Sequence, residues 1–190
     1  WSEGARYAHG VSVGAPPDPF SADGQVWNLP PPNPLAMAEG GYAAWRGLIS
    51  ANMRHAGLLR IDHVMGLSRL FWVPDGAKAT EGAYIGYPRD ALLAELKLES
   101  QRHRCAVVGE DLGTVPEGFR EALDEAGVLS YRVLWFERDG DHLRPAAHYP
   151  AGAVACVSTH DLATLAGWWS GADIAEQVTL GLMGDEAAAR

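Results

Sequence analysis

Three apolar runs in this sequence each end in acid. The run "LLRIDH" delivers Arg60, Asp62 and His63, "AVVGED" delivers Glu110 and Asp111, and "ACVSTHD" delivers His160 and Asp161. Two carboxylates flanking a glycosidic bond suffice for chemistry at an anomeric carbon, one attacking the carbon while the other protonates the departing oxygen. Asp62 and Glu110 form the natural pair. On adjacent strands they would stand about 5–5.5 Å apart, the separation that goes with a covalent intermediate and retained configuration. Asp161 adds a third carboxylate, suited to holding the 2- and 3-hydroxyls and favouring a positively charged transition state. Arg60, two residues before Asp62 and so on the same strand face, would hold and aim it. His63 and His160 could donate to sugar hydroxyls without carrying a full charge. Asp111 reads as a cap or loop brace, and Glu137 stays open between loop charge and function. The competing chemistry is a divalent-metal site, since His, Asp and Glu at strand ends also bind cations. Against it, the sequence has no H-x-H or H-E-x-x-H pair, and no strand end supplies more than one histidine. No metal and no cofactor is expected.

Such acids need elements to hold them at one place. Residues 41–55 carry Ala44, Leu48, Ile49 and Met53 at helical spacing and stop before Gly57. Residues 57–62 read as a strand. The stretch 88–104 places Leu92, Leu93 and Leu96 on one stripe, with Pro88 ahead of it and basic residues in its last turn. "CAVVGE" is a second strand. In "TVPEGFREALDEAG" a helix is expected to start at a Thr114 cap with Glu117 three residues later and to stop at Gly127. "SYRVLWFE" and "AVACVST" read as a third and fourth strand, and a last helical region follows from Leu162. Residues 12–34, rich in Pro, Gly, Ser, Asp and Asn, read as a long loop that resists both helix and ladder. Its Phe20, Gln25 and Trp27 suggest a binding loop.

Strands alternating with helices, and strands that are continuously apolar, imply β/α units on a parallel sheet. In a (β/α)8 barrel the active site gathers at the strand C-termini, which is where the three acids stand. An open doubly wound sheet also binds ligands there, but no G-x-G-x-x-G follows any strand. A complete barrel takes about 250 residues. Four strands in 190 residues make the expected fold a partial (β/α)8 TIM barrel spanning residues 1–190, a piece of a longer enzyme.

The bulk numbers fit a soluble globular chain, with 47 % hydrophobic and 21 % charged residues. A formal net charge of -9 argues against nucleic acid, whose phosphates need a basic face. No apolar run approaches the roughly 20 residues that cross a bilayer, and the first ten residues lack the parts of a signal peptide. A cytoplasmic setting is the default expectation, and the oligomeric state stays open. Cys105 and Cys156 lie in apolar runs far apart and read as reduced core residues.

These residues resemble the amylomaltases, the 4-alpha-glucanotransferases of glycoside hydrolase family seventy-seven, relatives of alpha-amylase. The resemblance runs through "SVGAPPD", "GQVWNLPP", "LRIDHVMGLSRLFWVP", "GAYIGYP", "GEDLGTVP", "YRVLWFE" and "THDLATL". It implies Asp62 as nucleophile, Glu110 as acid/base and Asp161 as transition-state stabiliser, with Arg60, His63 and His160 contacting sugar around the cleaved bond. It also implies that the proline-rich segment covers the cleft, with Asp18, Phe20, Gln25 and Trp27 as glucan contacts, joined by Tyr84. The strands become the fourth through seventh of the barrel, and the partners become alpha-1,4-glucans and maltooligosaccharides. Departures fall at Pro19, Asn28 and Ala163, where the family often has an aromatic, a glycine and a proline. An alpha-amylase-type hydrolase using the same acids, or a truncated glucan-binding fragment without turnover, are the alternatives.

Overall fold

The computed structural model describes residues 4–18 and 21–181, and the chain divides at Ser130 into two compact units. In the first unit the elements run β1 (Val11–Ala15), β2 (Gln25–Val26), α1 (Pro34–Glu39), α2 (Ala43–Met53), β3 (Leu58–Ile61), β4 (Arg69–Pro74), β5 (Ala83–Gly86), α3 (Arg89–His103), β6 (Ala106–Gly109) and α4 (Phe119–Glu125). β7 (Ser130–Val133) starts at the boundary. The second unit continues with β8 (Arg138–Asp139), β9 (His142–Leu143), β10 (Ala153–Cys156), α5 (Leu165–Ser170) and α6 (Ala172–Thr179). Residues 182–190, the end of the expected last helical region, lie outside the described residues.

β3 and β6 are the expected parallel pair, with Leu59 opposite Val107 and Ile61 opposite Gly109. The parallel run continues through a bridge between Val108 and Leu129, just ahead of β7. α3 forms because Leu92, Leu93 and Leu96 make a buried stripe, Asp90 meets its positive N-terminal end, and Arg102 and His103 meet its C-terminal end. It packs on α2, and both join β6 and α4 in one core around Met53, Val64, Leu96, Val107 and Phe119. In the second unit β7 pairs with β10, and β8 with β9.

Four expectations change, the first being that β7 ends at Val133, with Leu134–Phe136 in a 3-10 turn where "SYRVLWFE" reads as one strand. The buried stripe of α2 runs through Trp45, Ile49 and Met53 rather than Ala44 and Leu48, and Leu48 is 58 % exposed. The Trp45 ring rotates the helix, because its Nε1 donates to the Leu92 carbonyl of α3 at 3.1 Å. Thr114 does not cap α4, which starts at Phe119 behind Gly118 in the left-handed region at φ 71°. Pro116 explains the delay, since it disfavours helical backbone at Val115. Finally, the stretch 12–34 is not uniformly irregular. β1 and β2 lie in a four-stranded antiparallel sheet of order β2-β1-β4-β5 whose last two strands went unread in the sequence. Gly14 makes this possible, because a Cβ there would sit 2.1 Å from the Gln25 carbonyl oxygen.

Candidate active site

The β3–β6 register builds the site. Ile61 and Gly109 are partners, so the residues that follow them, Asp62 and Glu110, leave neighbouring parallel strands at matching ends. The chain after β3 turns sharply at His63, held at φ 46°, a left-handed conformation uncommon outside glycine that Asn, Asp and His adopt more often than other residues. That turn aims the His63 backbone N–H at Glu110, whose Oε2 accepts it at 2.9 Å while Oε1 accepts the Leu112 N–H at 2.8 Å. The Glu110 backbone is fixed as well, donating to Ile61 at 2.9 Å and accepting from Val64 at 3.0 Å. Glu110 is therefore clamped between its own loop and the turn that carries Asp62.

Asp62 is held differently. Its Oδ1 lies 2.7 Å from Arg60 Nη1, and its side chain is 73 % exposed, so its carboxylate is aimed yet open to an incoming molecule. The His63 ring sits where burial lowers its pKa below the ordinary value, against the pull of the Glu110 and Asp62 carboxylates, which raise it. Burial dominates, leaving a neutral imidazole between two acids at neutral pH. The edge of Trp27 closes on that ring at 5.2 Å and 86°, and Trp27 Nε1 donates to Gln25 Oε1 at 2.9 Å. The β1–β2 ladder thus brings the proline-rich segment against His63, the residue next to Asp62.

The remaining sequence candidates are placed as follows. Asp18 shapes the tip of the segment, its Oδ1 accepting the Ser21 N–H at 2.7 Å. Phe20 lies outside the described residues. Tyr84, on β5, meets Phe71 edge-on at 5.1 Å and carries the Arg69 guanidinium 4.0 Å from its ring centroid. Asp111 is a brace, as its position suggested. It is fully buried, with Oδ2 accepting from Arg120 Nε and Ser130 Oγ, each at 2.8 Å. In the second unit His160 and Asp161 stand in the turn after β10, paired at 3.3 Å and both largely exposed. The Ala163 carbonyl fixes this turn by accepting from Ser158 Oγ at 2.7 Å and Trp135 Nε1 at 3.3 Å. Thr164 then caps α5. Arg144 lies 3.4 Å from Glu137 and 3.0 Å from Asp139, which makes Glu137 a charge partner across the open end of the β8–β9 hairpin. Among the described residues no group of three or more His, Cys, Asp or Glu could hold a metal ion, and no helix is long and apolar enough to cross a membrane.

Sequence reasoning missed the clamp on Glu110 and the stacking of Arg69 on the Tyr84 ring. The clamp depends on a left-handed backbone at a histidine, which has no composition signal. Arg69 carried one, a lone cation opening the aromatic run "RLFWVP".

A family model described as 4-alpha-glucanotransferase matches residues 1–188. A 4-alpha-glucanotransferase of Haemophilus influenzae is 46 % identical over 98 % of this chain, and one of Mycobacterium tuberculosis is 43 % identical over 96 %. The chain spans 27 % and 26 % of those two relatives' own lengths. The crystal structure of amylomaltase from Corynebacterium glutamicum superposes with a TM-score of 0.88 at 40 % identity, over 94 % of this chain and 26 % of that one. An amylomaltase from Streptococcus agalactiae in complex with acarbose shares the fold at a TM-score of 0.78 and 24 % identity, over 90 % of this chain and 36 % of that one. With an α/β fold similar to amylomaltase and a family match along nearly its whole length, this chain belongs to the 4-alpha-glucanotransferase family.

Proposed function

We propose that this chain carries the reacting carboxylates of a retaining 4-alpha-glucanotransferase and forms strands four to seven of its (β/α)8 barrel. The single observation that carries the reading is the β3–β6 register, which sets Asp62 and Glu110 at matching strand ends with Arg60 and His63 around them. The donor is an alpha-1,4-glucan or maltooligosaccharide. Arg60 holds Asp62 Oδ1, and the other oxygen attacks the anomeric carbon. As the C–O bond to the leaving chain breaks, Glu110 gives its proton to the departing 4-oxygen, and a glycosyl ester forms on Asp62. Glu110 then takes the proton of an acceptor 4-hydroxyl, whose oxygen displaces Asp62 and restores the starting configuration.

Asp161 stabilises the oxocarbenium-like charge in both steps, with His160 beside it. Neutral His63 donates to a sugar hydroxyl. Asp18, Phe20, Gln25, Trp27 and Tyr84 supply glucan contacts, with aromatic faces against the apolar faces of glucose rings. Trp27 packed over His63 shields the reacting centre from water, which favours a sugar acceptor over hydrolysis. No cofactor enters this scheme. The free thiols of Cys105 and Cys156 suit a reducing, cytoplasmic setting.

The test is incubation of the full-length enzyme with maltotriose. A ladder of longer oligosaccharides is expected, and Asp62→Asn should abolish it. Glucose and maltose alone would instead favour an alpha-amylase-type hydrolase.

A further inference from the structure

We propose that Arg69 is a positioning residue that fixes the Tyr84 ring as a sugar-stacking platform and ties it to the loop bearing Glu110, an inference that rests on the function proposed above. Arg69 opens β4, and its cross-strand partner on β5 is Gly86, which has no side chain. Nothing lies within 4 Å of where a Gly86 Cβ would be, so the guanidinium has room to lean along the strand. Tyr84 stands two residues from Gly86 on the same face, opposite Phe71. The guanidinium carbon settles 4.0 Å from the Tyr84 centroid while Phe71 meets the ring edge-on. Cation over ring and ring against ring together define where Tyr84 points.

The other end of the same guanidinium reaches the acid loop. Arg69 Nη2 donates to the Thr114 carbonyl at 3.4 Å, in the segment that leaves β6 through Glu110 and Asp111. Its Nε is buried with no partner among the described residues, and no carboxylate among them forms an ion pair with it. An arginine kept at such a place without an acid is committed to the ring and the loop. Among the described residues β5 ends the order β2-β1-β4-β5, so no further strand braces Tyr84 there, and it keeps 38 % exposure for a ligand. Arg69 supplies the bracing that the sheet does not.

A platform that acts in ground-state binding alters KM more than kcat. The experiment uses the full-length enzyme with maltotriose and compares Arg69→Ala, Arg69→Lys, Tyr84→Ala and the Arg69/Tyr84 double alanine variant, each with its unfolding midpoint. Arg69→Ala and Tyr84→Ala should each raise KM about tenfold with kcat within about threefold of the parent. The double variant should be no worse than Tyr84→Ala alone, and Arg69→Lys, which keeps a cation but not the planar fork, should recover part of the loss. Additive losses, an unchanged KM in Arg69→Ala, or a fall in kcat at constant KM would overturn the proposal. Should Arg69→Ala lower the midpoint too far to assay, Arg69→Lys decides: parent-like stability must come with an intermediate KM, and a KM at or beyond that of Tyr84→Ala overturns it. The functional reading fails separately, if Asp62→Asn leaves the oligosaccharide ladder intact.

Discussion

His63 couples several parts of the site through its backbone and its ring. Its backbone N–H holds Glu110, its ring carries Trp27, and its neighbour is Asp62. Burial lowers the pKa of that ring in the folded chain, so the unfolded chain binds the proton more readily. By linkage the corresponding stability is complete above the ordinary value of 6.5 and is lost as pH falls through the lower folded value. His63→Asn removes the titrating ring and keeps a residue that tolerates the left-handed backbone. The variant should therefore show a flatter dependence of unfolding midpoint on pH than the parent as pH falls below the ordinary histidine value of 6.5. Parallel slopes would mean the ring is not protonating where its burial requires. The placement of Asp62 and Glu110 just past two strand ends was legible because each follows an apolar run. The contact of Trp27 with His63 was not, because it is made by a β1–β2 ladder hidden in a segment whose prolines and glycines signal loop.

At the level of elements, the helices and parallel strands follow from continuous apolar runs and stripes, as in α3 and β6. The antiparallel sheet escaped for a physical reason. "RLFWVP" mixes buried and exposed positions, the four-residue "AYIG" has no buried one, and β1 relies on Gly14 to let β2 approach. The start of α4 escaped because a Pro116 turn outcompetes a Thr114 cap. What replaces the cap is a tether. Arg120, in the first turn of α4, donates its Nε to the Asp111 Oδ2 and its Nη2 to the Asp111 carbonyl, each at 2.8 Å. Arg120→Ala would strip the Arg120 guanidinium from the buried Asp111 carboxylate while keeping the bond from Ser130 Oγ. The arginine is itself about half exposed, which weakens the pair. A loss of about 2 kcal/mol is expected, below the full cost of stripping a buried ion pair. Equilibrium urea denaturation checks it, and a change under about 0.5 kcal/mol would mean α4 is held by Phe119 and Leu123 alone.

For the molecule as a whole, the decisive surface is the outer side of β3. Among the described residues β3 pairs only with β6, its side chains alternate between exposed and half-buried, and Leu58 is 48 % exposed. The sequence suggested a strand covered on both faces, since "LLRI" is apolar throughout except for Arg60. The chain spans only about a quarter of its relatives' length. An uncovered edge with a leucine on it offers unpaired N–H and C=O groups to another copy. The 190-residue chain, expressed by itself, should therefore self-associate with rising concentration, as sedimentation velocity or light scattering would reveal. Leu58→Lys places a charge at the first position of that edge and should shift the chain toward monomer, because pairing would then bury an ammonium group. If both forms stay monomeric at equal concentration, the edge is already protected. If both associate equally, attraction comes from another exposed apolar site, with Trp169 at 81 % exposure the next residue to change.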